Sequence, residues 1–412
     1  MHADLFCKRV DNYGDVGVCW RLARSLQREA GWRVRLWIDD LPALARLAPR
    51  TLPEAARQLV DGVEIIHWTA ESPALPPGDV VIETFACEPP PAFRAAMRAR
   101  QPRPVWVNLE YLSAEAWVEG CHGLPSPQPD GLVRHFFFPG FTPATGGLLR
   151  EPGLSAQRDA WQADRMVQRA FLQRIGATGG FDAGSAALRA WDAGARVATL
   201  FCYPTGPAEA LAAAWAGGAR PVLLAVPEGV APSLYPGQTG ALHVVRVPFL
   251  PQDDYDRLLW SADLNFVRGE DSFLRAAWAA RPLVWQIYPQ EEGAHWAKLD
   301  AWLAQYQPPP AAEALIRAWN APPATPHARI SEAGPPNAAM PASGSPGAGS
   351  PGAGSPAAGS PAAVAPLLRV ASEDGPWETW KQTARAWDAR YAARQGLAAN
   401  LARFCAAQAE TR

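Results

Sequence analysis

The stretch Asp4–Gly31, DLFCKRVDNYGDVGVCWRLARSLQREAG, decides the fold. Asp4–Arg9 predicts a strand, an apolar run closed by Lys8 and Arg9. From Gly17 to Ala30 the residues Val18, Leu22, Ala23, Leu26 and Ala30 fall on one helical face, and Gly31 supplies the stop. A strand that turns directly into a helix opens a βαβ unit, so the reading predicts a parallel sheet. The neighbouring runs Arg33–Ile38, Val63–His67, Val80–Thr84 and Val105–Leu109 are apolar without alternation, as strands covered on both faces are.

A second alternating block starts near Arg196. Strands are expected at Val197–Tyr203, Val222–Ala225, Val244–Val247, Leu264–Val267 and Leu283–Ile287, with helices at Pro207–Trp215, Asp253–Ser261 and Ser272–Ala280. Between the blocks, Leu112–Arg150 is rich in Gly, Pro and aromatics, and Ser155–Ile175 has the polar helical texture of a connector. Pro341–Pro366 carries no charge and repeats Gly-Ser-Pro, a composition that favours a flexible, disordered loop. Order is expected to resume near Trp377, with Trp380–Phe404 as a closing helix. The expected class is therefore α/β, with two Rossmann-like domains facing a cleft and a C-terminal helix closing the chain. The expected bounds are 1–175 for the first domain, 176–330 for the second, 331–370 for the insert and 371–412 for the helical end.

The chain has 412 residues, which at about 150 per domain suits two or three domains. With 48% hydrophobic and 19% charged residues, wholesale disorder is excluded. A formal net charge of −2 excludes a globally polybasic nucleic-acid binder, so no direct nucleic-acid partner is expected. There is no apolar run of about 18 residues and no secretory leader pattern, so no membrane association is expected. The six cysteines form neither C-x-x-C nor zinc-finger spacing, and read as free thiols in a cytoplasmic setting.

Ligands of open α/β sheets sit beyond the carboxyl ends of the strands, which singles out four loops, those after Arg9, Tyr203, Val247 and Val267. After the first strand come Asp11, Asn12, Tyr13, Gly14, Asp15 and Gly17. The two carboxylates can act in proton transfer or simply cap and turn the chain, and the glycines allow close approach. This is not G-x-G-x-x-G, so a dinucleotide fingerprint is unsupported. Arg268-Gly269-Glu270-Asp271-Ser272 precedes a helix, whose N-terminus suits a diphosphate, with Arg268 adding a bidentate contact. The alternative there is a capped helix start with a surface ion pair. Phe201 and Tyr203 end one strand, and Phe249 and Gln252 follow another. They either sandwich a flat base, with Gln252 on its edge, or pack into the core. The aromatic run Phe136–Phe141 serves a partner surface or internal packing, and Cys121-His122 lacks a base to make a nucleophile. No acidic cluster marks a metal site.

Together these stretches resemble the bacterial arginine rhamnosyltransferases that modify elongation factor P. The resemblance lies in Asp11–Arg21 (DNYGDVGVCWR), Asn108–Gly131 (NLEYLSAEAWVEGCHGLPSPQPDG) and Phe136–Glu151 (FFFPGFTPATGGLLRE). It continues in Leu200–Tyr203 (LFCY), Val247–Gln252 (VPFLPQ), Asn265–Ser272 (NFVRGEDS) and Trp285–Gln290 (WQIYPQ). It implies a GT-B fold, dTDP-β-L-rhamnose as donor and co-substrate, no cofactor or metal, and inversion at the anomeric carbon. The implied acceptor is an arginine of elongation factor P, activated for relief of ribosome stalling at polyproline. By motif, Asp15 is the implied general base, Asp11 its partner, and Glu270 the group that holds the sugar. The implied donor contacts are Asn12, Tyr13, Gly14, Gly17, Phe201, Tyr203, Phe249, Gln252, Arg268, Asp271, Ser272 and Tyr288. Three other readings share some of these features. They are a GT-B enzyme with another sugar or acceptor, a non-catalytic binder of elongation factor P, and a two-domain dehydrogenase, which the missing glycine fingerprint opposes.

Overall fold

The opening stretch folds as strand, loop and helix, and the computed structural model describes residues 1–10, 13–290, 293–322 and 361–411 of the chain. Asp11, Asn12 and the Pro341–Ser360 part of the expected disordered loop lie outside the described residues. The first strand runs His2–Cys7 rather than Asp4–Arg9, and the helix starts at Gly14, three residues earlier than its apolar face suggests. Gly31 ends that helix in the left-handed conformation (φ 65°), and its N–H donates to Leu26 O. That is the glycine stop its position predicts.

Eight strands form the first sheet: β1 (His2–Cys7), β2 (Arg33–Ile38), β3 (Arg57–Val60), β4 (Val63–His67), β5 (Val80–Thr84), β6 (Val105–Leu109), β7 (Pro125–Pro127) and β8 (Val133–Phe137). Their order is β3-β4-β2-β1-β5-β6-β8-β7. Only the edge strands β3 and β7 pair antiparallel. Six strands form the second: β9 (Arg196–Leu200), β10 (Val222–Pro227), β11 (Gly237–Thr239), β12 (Leu242–Val247), β13 (Leu264–Arg268) and β14 (Leu283–Gln286), in the order β11-β12-β10-β9-β13-β14. β5, β6 and β9 are buried along their whole length, which is why they read as mainly apolar runs without alternation.

The connector is two helices, Leu154–Ala163 and Arg165–Gly176, because Asp164 breaks the first and caps the second. Its carboxylate accepts the N–H groups of Met166 and Val167, both at 3.0 Å. Both helices belong to the second unit. Trp161 Nε1 donates to Ser261 Oγ at 2.9 Å, and Phe171, Leu172 and Ile175 pack with Val197, Leu223 and Val245. The units therefore part ahead of Leu154 and not at residue 175. The expected boundary rested on polarity, and polarity marks only the outer face of these helices.

The tail departs from expectation as well. A helix at Pro361–Ala371 precedes the expected return of order at Trp377. The single closing helix is two, Asp374–Ala392 and Leu397–Glu410. The first packs on the second unit, where Trp380 Nε1 donates to Tyr306 OH and Trp387 lies against Trp278. The last crosses back. Leu397 N–H donates to Leu148 O at 2.9 Å, Asn400 Nδ2 to Gly146 O at 3.0 Å, and Phe404 packs on Phe137. The run Phe136–Phe141 is thus mostly core: Phe137, Phe138 and Phe141 are buried, which withdraws them from any partner surface.

Candidate functional site

The carboxyl ends of both sheets supply one cleft. On the first side, Asp15 lies in the opening turn of the Gly14–Ala30 helix and is buried. It accepts the Val10 N–H at 2.8 Å and the Tyr111 hydroxyl at 3.3 Å. Tyr111 follows β6 and stacks on Phe85, which follows β5, with ring centroids 4.1 Å apart. Phe85 and Ala86 hold φ of 54° and 57°, a left-handed backbone that costs on the order of 1–3 kcal/mol per non-glycine residue. Sequence reading passed over Phe85 and Tyr111. Their position, immediately past the ends of two central strands, was the available signal.

On the second side, β13 leads through Gly269 and Glu270 into the Asp271–Trp278 helix. The first N–H groups of that helix have no partner within it. Leu112 N–H donates to Glu270 Oε2 at 3.0 Å. Adjacent residues of one loop, Tyr111 and Leu112, therefore hold Asp15 and Glu270 respectively. Burial is the main reason that the Glu270 carboxyl is pushed up to about 8, with the Leu112 hydrogen bond opposing and the nearby Asp15 charge adding. A neutral carboxylic acid there can accept from Leu112 and donate from its other oxygen.

One cavity connects these parts. Tyr13 and Gly14 line it from the first unit, and Phe201, Tyr203, Phe249, Gln252, Arg268, Glu270, Asp271 and Ser272 from the second. The Arg268 guanidinium lies 4.6 Å from the Phe201 ring centre and 4.7 Å from that of Tyr203. No carboxylate among the described residues lies within ion-pair distance of it, which leaves its donors for an anion. Gln252 is buried; its Nε2 donates to Gly17 O at 2.9 Å, while Oε1 has no hydrogen-bond partner among the described residues. Phe249 packs on Tyr13 at 4.7 Å, and Arg46 lies 4.0 Å over its ring while donating to Tyr13 OH. Arg46 sits on the Leu41–Leu47 helix and carries no motif that would have marked it.

Three expected residues sit elsewhere. Gly17 lies beneath the cavity, where the units touch: a Cβ there would stand 2.9 Å from Asp271 Oδ2 and 3.0 Å from Gln252 Nε2. Tyr288 is exposed at the rim and meets Tyr203 edge to face at 5.6 Å. Asp15 is behind the lining rather than in it. His122 Nδ1 accepts the Phe138 N–H at 3.0 Å, a structural bond that removes it from nucleophile chemistry. Among the described residues no group of three or more His, Cys, Asp or Glu is placed to hold a metal ion, and no helix is long and apolar enough to cross a membrane.

Comparison with known proteins adds the family. The family described as EarP, elongation-factor P (EF-P) rhamnosyltransferase, matches residues 3–344. A protein-arginine rhamnosyltransferase of Pseudomonas putida is 49% identical over 336 residues, covering 77% of this chain and 86% of the relative. That of Pseudomonas aeruginosa is 48% identical, covering 74% and 81%. The structure is similar to that of EarP, solved as the basis of EarP-mediated arginine glycosylation of translation elongation factor EF-P. That likeness has a TM-score of 0.57 and 30% identity, over 98% of each chain. Phytolacca americana UGT2, complexed with UDP-2fluoro-glucose and pterostilbene, matches at a TM-score of 0.50 and 10% identity over 99% of each chain, a likeness of fold alone. The architecture is GT-B.

Proposed function

Because this chain belongs to the elongation-factor P (EF-P) rhamnosyltransferase family and is a protein-arginine rhamnosyltransferase, we propose that its acceptor is an arginine of EF-P and its donor dTDP-β-L-rhamnose. One observation carries the reading. A single loop, Tyr111-Leu112, holds Asp15 from the first unit beside Glu270 from the second, next to a cavity of aromatic rings, Arg268 and a helix N-terminus.

A guanidinium has a pKa above about 12 and is a poor nucleophile until a proton leaves it. Asp15 is the proposed general base, with Asp11 as its partner. As the arginine nitrogen bonds to the anomeric carbon, the bond from that carbon to the diphosphate oxygen breaks. The nitrogen's proton passes to Asp15, and dTDP departs with the electron pair. Arg268 and the N–H groups that open the Asp271–Trp278 helix meet the charge on the diphosphate, with no protein group needing to move. Glu270 holds the sugar by its hydroxyls. Phe249 and Tyr203 flank the base, and Gln252 Oε1 accepts from its edge. A base on one wall and a leaving group on the other put nucleophile and diphosphate on opposite faces of the sugar, so the transfer inverts. Rhamnosylation would activate EF-P for relief of stalling at polyproline, in the cytoplasm.

Intact-mass analysis after incubating the protein with dTDP-β-L-rhamnose and EF-P from the same genome tests this. A gain of one deoxyhexose, absent when the acceptor arginine is lysine, is the expected result. No gain while dTDP still binds would keep the nucleotide site and move the acceptor to another protein.

A further inference from the structure

The two units also meet through a buried ion network that the proposed chemistry does not use. Arg21, on the helix that carries Asp15, is 1% exposed. Its Nη1 and Nη2 donate to the two oxygens of Asp256, each at 3.0 Å; Nη1 also reaches Glu151 at 3.3 Å, and Nε reaches Asp271 Oδ1 at 3.1 Å. Arg275 donates to the same Asp256 at 3.0 and 2.7 Å and to Glu151 at 2.6 Å. Two guanidinium groups thus share three carboxylates. Burial opposes the charge on Arg21, but Asp256, Asp271 and Glu151 outweigh it and keep the group ionised.

The connections are unequal. Asp256 has Arg275 as a second partner from its own side, and Glu151 has Arg275 as a second partner across the seam, whereas Asp271 forms its ion pair with Arg21. Asp271 opens the helix whose N–H groups face the cleft, directly after Glu270. The link therefore runs from the helix of Asp15, across the seam, to the residue beside Glu270. The seam is tight at that point, because the Gln252 amide binds Gly17 O and Asp271 Oδ2 lies 2.9 Å from where a Gly17 Cβ would stand. Buried ion pairs add little net stability over apolar packing, so a cross-unit arginine with a planar five-donor fork implies another task.

We propose that Arg21 is a positioning residue for rhamnosyl transfer: through Asp271 it holds the start of the Asp271–Trp278 helix, and with it Glu270, at a set distance from Asp15. This rests on the reading in which Asp15 and Glu270 serve the transfer. It concerns alignment of the two units, for which Arg21 touches neither donor nor acceptor.

The test compares Arg21→Met with the double variant Arg21→Met/Asp256→Asn, by melting temperature and by steady-state transfer to EF-P. The single variant leaves a buried charge unbalanced, and both Tm and kcat fall, kcat by roughly 100-fold, the scale expected of a small misplacement. The double variant removes one charge of each sign and recovers most of the Tm, but Asp271 still lacks its partner and kcat stays low. Recovery of kcat together with Tm would make Arg21 a structural residue and overturn the proposal. If Arg21→Met does not fold, Arg21→Lys replaces it. Lysine keeps the charge but cannot bridge Asp256 and Asp271 at once, so kcat falls without a matching rise in the KM for dTDP-rhamnose; wild-type kcat there overturns the proposal. Wild-type protein runs in parallel. A wild type that transfers no rhamnose overturns the underlying reading, whereas an active wild type beside a fully active Arg21 variant overturns this inference alone.

Discussion

Single side chains carry the chemistry, and two of them give sharp expectations. Asp15 is held by a backbone N–H and a phenol, so Asp15→Asn keeps its volume and most of its contacts. That variant is expected to fold and bind dTDP but to lose on the order of 10²–10⁴ in turnover, the usual contribution of a general base. Normal turnover would remove Asp15 from the mechanism. Glu270 gives a pH signature. Its carboxyl moves from 4.5 up to about 8, chiefly through burial. The folded protein then holds a proton that the unfolded chain gives up, so folded stability declines as pH rises through that window. Glu270→Gln cannot titrate. The Tm of the variant minus that of the wild type should therefore increase between about pH 5 and about pH 9, read by thermal denaturation. A difference that stays flat would mean the carboxyl ionises as it does in the unfolded chain.

Elements place those side chains, and here sequence reading reached far and then stopped. The βαβ rhythm was legible because buried parallel strands carry continuous apolar runs and the helices between them keep one apolar face. The loops after β1, β9, β12 and β13 were legible as site loops because strand ends collect ligands. Phe85, Tyr111 and Arg46 were not, since an aromatic or arginine in a loop has no periodicity and gains meaning only from what lies across the cleft. Asp164 hid a helix break for a related reason: one carboxylate taking two N–H groups is a cap in three dimensions and a polar residue on paper. Gly17 belongs to this scale. Its mutation to Ala gains up to about 1 kcal/mol of helix propensity but drives a methyl into Asp271 and Gln252 across the seam. We expect a near-neutral Tm with a raised donor KM and a lower kcat. Unchanged kinetics would show that the helices can part there without consequence.

At the scale of the whole molecule, two sheets share one seam and one chain end. Exposed ion pairs are screened when salt rises from 0.1 to 1 M, as the Debye length falls from about 10 to about 3 Å, but the Arg21–Asp256–Arg275 network is buried. Small-angle scattering should therefore give the same radius of gyration at both salt concentrations, and an expansion at high salt would mean that exposed charge holds the units together. The crossing of the Leu397–Glu410 helix has a further consequence, which concerns time. The ribosome delivers Phe137 long before Phe404, the ring that covers it. At about 5–20 residues per second the delay is on the order of 15–50 s. Throughout that interval the nascent first unit presents an uncapped aromatic face to chaperones, proteases and its own neighbours on the polysome. The first unit is sealed only once the Leu397–Glu410 helix has been made, so termination ahead of that helix leaves a product that quality control can recognise by touch.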